Sequence, residues 1–129
     1  MKIIDIVSLF PEIIDLYLQN SPVTKSIPEK DIIIKTHQLR NFSEDKHSRV
    51  DDKQYGGDPG MVLMAEPLMK SIDYISGLRS SNPFTILMSP QGKKLDQNII
   101  LEILNNDNIA IVCGRYEGVD ERFIEEKVN

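Results

Sequence analysis

The sequence contains a single cysteine, so no disulfide can form within the chain. That usage fits a reducing compartment, and we expect a cytoplasmic protein. No apolar run approaches the length needed to span a membrane, and the short run at the N-terminus meets Asp5 too early for a signal peptide. These absences argue against a secreted disulfide-stapled module and against membrane association.

An excess of positive charge is also missing, because 15 Lys and Arg residues face 20 Asp and Glu residues, giving a formal net charge of −5. A generally basic surface is excluded, so any contact with nucleic acid must be local. The chain has 129 residues, of which 40% are hydrophobic, as expected for one globular domain with a substantial core. No repeats, low-complexity tracts or linkers divide it.

Several cofactor motifs are absent as well. There is no P-loop sequence, and neither of the glycine-containing loops, at 56–60 and 113–118, matches the dinucleotide fingerprint G-x-G-x-x-G. His37 and His47 have no partner at the spacing of zinc ligands, so each is interpreted as an ordinary surface or loop histidine. A P-loop nucleotide site, a Rossmann cofactor and a zinc centre are therefore not indicated.

Nucleophilic catalysis is not indicated either. Cys113 closes an apolar run, where burial explains it, and Ser89 lacks the glycines of a nucleophile elbow. Asp51 and Asp52 form an adjacent pair of acids that could hold magnesium through water, although such a pair in a loop is commonly just solvated.

Apolar runs alternate with amphipathic segments along the chain. Strands are expected at 2–8, 32–36, 84–88 and 109–113, and helices at 11–20, 65–76, 96–104 and 120–128. Gly77 is expected to stop the second of these helices, and Asp96 and Asp120 to cap the last two. Alternation with short connections predicts an α/β fold, a mostly parallel sheet with helices on both faces.

Two of these strands end in loops of small residues. The carboxyl ends of parallel strands meet at one edge of a sheet, so the loops 88–92 and 113–118 are expected to form one pocket. Glycines at 114 and 118 allow a ligand to approach the main chain, although a tight turn explains the same glycines. Glu117 offers a carboxylate for a ribose hydroxyl or a cation, and Tyr116 offers a flat face.

The segment from Arg40 to Gly60 is long, polar and without a clear period. Connections of this length in compact domains are usually functional or disordered. It is either a solvated, mobile loop or a binding loop whose glycines let a flat ligand reach the backbone.

Four motifs together resemble bacterial tRNA (guanine-N1)-methyltransferases. They are SLFPE at 8–12, DDKQYGGDPGM at 51–61, SPQGKKLDQ at 89–97 and VCGRYEGVDER at 112–122. The similarity is collinear from residue 2 to the last residue, and four motifs in order are far more specific than any one of them.

The resemblance implies a SPOUT-class fold with a trefoil-knotted cofactor site, a homodimer, S-adenosylmethionine as methyl donor and a dependence on magnesium. The implied reaction methylates N1 of the guanine just 3′ of the tRNA anticodon. The residues implied around the donor are Leu87, Met88, Ser89, Pro90, Gly114, Tyr116, Glu117 and Gly118. Those implied near the target guanine are Asp51, Tyr55, Gly56, Gly57, Pro59 and Gly60.

The sequence departs from the family in its length, because the family continues well past the position of Asn129. By resemblance, that continuation would complete the knot, grip tRNA and supply the catalytic aspartate with its arginine partner. We therefore expect residues 1–129 to be an incomplete, N-terminal donor-binding SPOUT domain without the C-terminal tRNA-binding domain. Little activity by itself is expected to follow. The missing continuation would also leave apolar edge surface around strand 109–113 uncovered, so a tendency to self-associate is expected.

Two other classes of function remain open. The first is a non-catalytic α/β dimerisation or interaction module that binds no ligand. The second is a simple nucleotide-binding α/β protein, which would prefer ATP to the sulfonium donor.

Overall fold

The computed structural model describes residues 1–53, 61–90, 92–114 and 118–129. Its strands are β1 (Lys2–Ser8), β2 (Ile32–Gln38), β3 (Asp51–Lys53), β4 (Met61–Leu63), β5 (Phe84–Met88) and β6 (Asn108–Cys113). Its α-helices are α1 (Pro11–Asn20), α2 (Pro22–Lys25), α3 (Ala65–Arg79), α4 (Gln97–Ile103) and α5 (Glu121–Lys127), and a 3₁₀ turn covers Leu39–Phe42. None of the helices in these ranges is both long and apolar enough to cross a membrane.

The main sheet has the strand order β2-β1-β6-β5, and every neighbouring pair in it is parallel. β3 and β4 form a separate antiparallel ribbon. The predicted α/β fold with a mostly parallel sheet is confirmed. β6 lies inside the sheet, between β1 and β5, so the exposed edge that we expected around strand 109–113 belongs instead to β2 and β5.

Helices cover both faces of the sheet, as the alternation predicted. Neighbouring residues of a strand point to opposite faces. Thr36 of β2 donates a hydrogen bond to Asp15 of α1 (2.7 Å). The next residue, His37, meets Asp5, which also binds Arg79 at the end of α3. α1 and α3 therefore lie on opposite faces.

The core lies between the sheet and α3. Its fully buried members include Val7, Val112, Leu68, Ile75 and Phe123, so the apolar face predicted for the helix that begins at Ala65 is confirmed. The opposite face of the sheet is less fully covered, since its residues are only half-buried at Ile4, Ile6, Ile86 and Ile111. No residue of α1 is buried, and Ile13, Leu16 and Tyr17 are largely exposed.

Gly77 does not end α3, contrary to the prediction. The helix continues to Arg79 and ends at Ser80, whose φ of 56° and ψ of 28° are left-handed. Glycine lowers helix stability by only about 1 kcal/mol relative to alanine, which the packing of α3 offsets. The final turn also places Arg79 against Asp5.

The polar segment that we expected to be irregular is partly regular. The Leu39–Phe42 turn begins it, and β3 pairs with β4. Between them, Asp45 accepts the backbone N–H groups of His47 (2.9 Å) and Arg49 (3.2 Å). These bonds hold the pKa of Asp45 below its usual value. Val50, next along the chain, is fully buried.

Candidate functional site

The carboxyl ends of β5 and β6 lie side by side. Met88 and Cys113, the last residues of these strands, are paired in the parallel register. Gly114 follows at once, and a Cβ atom added to it would lie 3.7 Å from the carbonyl oxygen of Met88. The predicted meeting of the two strand ends is confirmed, and both Met88 and Gly114 are exposed there.

The predicted loop 113–118 ends at Gly118, which lies beside the antiparallel ribbon of β3 and β4. The carbonyl of Gly118 accepts the N–H of Leu63 (3.0 Å), and the N–H of Asp120 donates to the carbonyl of Leu63 (2.9 Å). Val119 lies between these bonds and forms a parallel bridge with Leu63. Gly118 has a φ of 139°, which a residue with a side chain adopts only with strain, so glycine is required by the backbone.

The ribbon places Asp51, the first residue of the predicted target segment, opposite Leu63. Asp51 pairs with Leu63, and Lys53 with Met61, in the antiparallel register. The N–H of Met64 donates to the carbonyl of Val50 (2.7 Å) and closes the base of the ribbon. The structure therefore joins the base of the target segment to the end of the segment that follows β6.

The site residues expected from the sequence fall in three groups. Leu87, Met88, Ser89, Pro90, Gly114 and Gly118 are described and lie at or beside the two strand ends, and Asp51 lies in the ribbon. Tyr116 and Glu117 lie outside the described residues. So do Tyr55, Gly56, Gly57, Pro59 and Gly60. The binding roles of all of them stay predictions.

Two titratable groups border the strand ends. Burial raises the pKa of the Cys113 thiol, which favours the neutral form and makes a nucleophilic role poor. Arg122 holds the pKa of Asp120 below its usual value through a two-point contact with its carboxylate (3.1 and 2.7 Å). Among the described residues, the strand ends therefore offer exposed main-chain groups, and the carboxylate of Asp120 is already engaged by Arg122.

Several acidic side chains near the ribbon form ion pairs with basic residues. Asp52 pairs with Arg49 (3.2 Å), and Glu44 and Glu66 both pair with Lys70. Within the described ranges no three His, Cys, Asp or Glu residues are grouped so that they could hold a metal ion. The magnesium site considered at Asp51 and Asp52 stays a prediction.

Sequence reasoning missed the junction at Leu63. The two predicted helix caps are confirmed: Asp120 accepts the N–H of Arg122 (2.9 Å), and Asp96 accepts the N–H of Ile99 (2.9 Å). The pairing of Leu63 with Gly118 and Asp120 joins residues more than fifty positions apart through backbone atoms. Backbone pairing depends little on residue type, and the three apolar residues of β4 were the one feature of the sequence that indicated a strand there.

The family described as "tRNA (Guanine-1)-methyltransferase TrmD" matches residues 1–129. Among curated proteins, a tRNA (guanine-N(1)-)-methyltransferase of Hydrogenovibrio crunogenus is 38% identical over 125 residues, covering 97% of this chain and 53% of the relative. One of Mycoplasma mycoides is 46% identical over 121 residues, covering 93% of this chain and 49% of the relative. The chain thus spans about half the length of the curated relatives it matches.

A solved structure shows the same fold. The tRNA (m1G37) methyltransferase of Aquifex aeolicus superposes with a TM-score of 0.84 at 36% identity. The match covers 96% of this chain and 56% of that protein.

Proposed function

Because the chain belongs to the tRNA (guanine-1)-methyltransferase family, we propose that it forms the S-adenosylmethionine site of an enzyme that methylates N1 of the guanine 3′ of the tRNA anticodon. The observation that carries the proposal is the contact between the ends of β5 and β6, where Met88 pairs with Cys113 and Gly114 follows. Bare main chain at adjacent parallel strand ends is where α/β proteins bind ligands.

Main-chain groups of the two strand ends would hold the donor. The donor-binding residues in this proposal are Leu87, Met88, Ser89, Pro90, Gly114, Tyr116, Glu117 and Gly118. Gly114 supports it by geometry, since its missing side chain leaves the carbonyl of Met88 open to a ligand. S-adenosylmethionine would supply the methyl group from its sulfonium centre.

The target guanine would lie over the ribbon, near Asp51 and the segment that holds Tyr55, Gly56, Gly57, Pro59 and Gly60. Guanine N1 carries a proton at neutral pH, so methyl transfer requires a base, typically worth ~10²–10⁴-fold in rate. We assign no base within the described residues. The junction at Leu63 supports the placement, because it joins the ribbon to Gly118 at the end of the proposed donor-binding segment. Holding two reactants close lowers the entropic part of the barrier.

The remaining parts of the proposal rest on family membership. They are a SPOUT-type knotted fold, a second copy of the chain and tRNA as partners, a cytoplasmic location, and residues 1–129 as the donor-binding domain of a longer, tRNA-gripping enzyme. Magnesium dependence belongs here too, although no three His, Cys, Asp or Glu residues of the described ranges are grouped around a possible ion.

Donor binding by the purified chain tests the proposal. Calorimetric titration with S-adenosylmethionine is expected to show one site per chain, and Gly114→Ala is expected to weaken it about tenfold or more, because the new methyl group narrows the approach to the Met88 carbonyl. The matched control is Gly77→Ala. A Cβ at Gly77, inside α3, meets nothing within 4 Å, so donor affinity should not change.

The alternatives predict other titrations. A nucleotide-binding protein would prefer ATP to S-adenosylmethionine, and an interaction module would bind neither. Either result, or equal effects of the two glycine variants, would contradict the proposed donor site.

A further inference from the structure

Leu63 is the point at which the two proposed binding segments meet through the main chain. Its N–H donates to the carbonyl of Gly118, and its carbonyl accepts the N–H of Asp120. Leu63 is fully buried, with Val119 bridged beside it. A shift of Asp120 would therefore move β4 relative to the segment that ends at Gly118.

Asp120 also anchors this point through its side chain. One carboxylate oxygen accepts the backbone N–H of Arg122 (2.9 Å) and its Nε (3.1 Å), and the other accepts Nη2 (2.7 Å). These bonds cap α5. The helix is itself fixed, because Phe123 is fully buried and Lys127 pairs with Asp73 of α3 (2.7 Å).

Resting on the proposed donor site, we propose that Asp120 is a positioning residue: by capping α5 it fixes the spacing between the segment ending at Gly118 and the ribbon β3–β4. Asp120 would act through Leu63 and Arg122. A misplacement of about 1 Å can lower the rate of a two-substrate reaction ~10²-fold, so a rigid junction here would matter for the proposed methyl transfer.

The test compares Asp120→Ala with Asp120→Asn, since an asparagine oxygen can still accept the N–H of Arg122. Asp96→Ala is the matched control, because it removes the cap of α4, where Asp96 accepts the N–H of Ile99. Hydrogen exchange at the Leu63 amide is measured with and without S-adenosylmethionine, and the dissociation constant of the donor is measured alongside.

In the unchanged protein, donor binding is expected to slow exchange at Leu63. Asp120→Ala should speed that exchange about tenfold and abolish the slowing, while donor affinity falls less than about threefold. Asp120→Asn should restore most of both effects, and Asp96→Ala should change neither. A merely structural cap would lower protection generally without removing the response to the donor.

Several results would overturn the proposal. They are unchanged exchange at Leu63 in Asp120→Ala, retained slowing by the donor in that variant, or the same changes in Asp96→Ala. If Asp120→Ala does not fold, Asp120→Gly decides, since it also removes the side-chain cap but at a smaller cost in helix stability, and unchanged exchange at Leu63 there overturns the proposal. No donor binding by the unchanged protein would contradict the proposed function itself, whereas binding without slowing at Leu63 would overturn this inference alone.

Discussion

Replacing Arg79 with methionine should remove a large part of the free energy of unfolding. Asp5 is fully buried in β1 and accepts two hydrogen bonds from Arg79 (3.0 and 2.7 Å) and one from His37 (2.7 Å). The Arg79 side chain is itself only 17% exposed. Arg79→Met would leave a buried carboxylate with a single partner, which costs about 3–5 kcal/mol.

The matched control is Lys127→Met, which breaks an ion pair between α5 and α3. Lys127 meets Asp73 at the same 2.7 Å, but these side chains are 28% and 64% exposed. An exposed ion pair contributes about 0–1 kcal/mol, so this variant should be almost neutral. Urea unfolding of both variants gives the comparison, and Arg79→Lys offers a milder change if the methionine variant does not fold.

A double-mutant cycle separates the pair from its surroundings. Asp5→Asn with Arg79→Met should destabilise by less than the sum of the single changes, because the second replacement removes the unpaired charge. Additive effects, or an Arg79→Met cost no larger than that of Lys127→Met, would refute the reasoning that burial makes this pair important.

Three further predictions concern stability. Burial alone raises the pKa of Asp5, but the hydrogen bonds from His37 and Arg79 outweigh it and leave the pKa lowered. The contribution of Asp5 to the free energy of unfolding is therefore complete above its unfolded pKa near ~4 and is lost as the pH falls through its folded pKa. Urea unfolding across pH 2–6 should show this loss, and Asp5→Asn should abolish it. Phe123→Ala should cost about 3–5 kcal/mol by thermal or urea unfolding, since the ring is fully buried between α5 and the core, and a cost below about 1 kcal/mol would contradict that placement. Ser80→Gly should stabilise by about 0.5–1 kcal/mol, because glycine relieves the left-handed backbone at the end of α3, and a destabilised variant would contradict the assigned φ of 56°.

The regular elements followed from local patterns. Mostly apolar segments of five to seven residues marked the main strands, and the caps at Asp96 and Asp120 marked two helix starts, because these features depend on residues close in the sequence. The meeting of β5 and β6 followed from one rule about parallel sheets.

Contacts between distant residues were not predictable in the same way. His37 was interpreted as an ordinary surface or loop histidine, yet it binds Asp5 across two strands, and Arg79 reaches the same carboxylate from α3. The extension of α3 past Gly77 makes that last contact possible. Tertiary packing decided both, and it outweighs a single residue's helix preference.

Exposure was also hard to foresee. The amphipathic pattern of residues 11–20 predicted a helix with an apolar face, but Ile13 and Leu16 of α1 are each 62% exposed. An amphipathic pattern indicates a face that needs cover and does not say what supplies it. The expected self-association stays a prediction, and sedimentation across a range of concentrations would test it.

The most direct test of the central claim is an amide NMR titration of the chain with S-adenosylmethionine. If bare main chain at the ends of β5 and β6 holds the donor, the largest shifts should fall at Met88, Ser89, Gly114 and Gly118, while Ile34 and Thr36 on the far edge strand stay unchanged. Shifts centred on β2, or no shifts at millimolar donor, would contradict it.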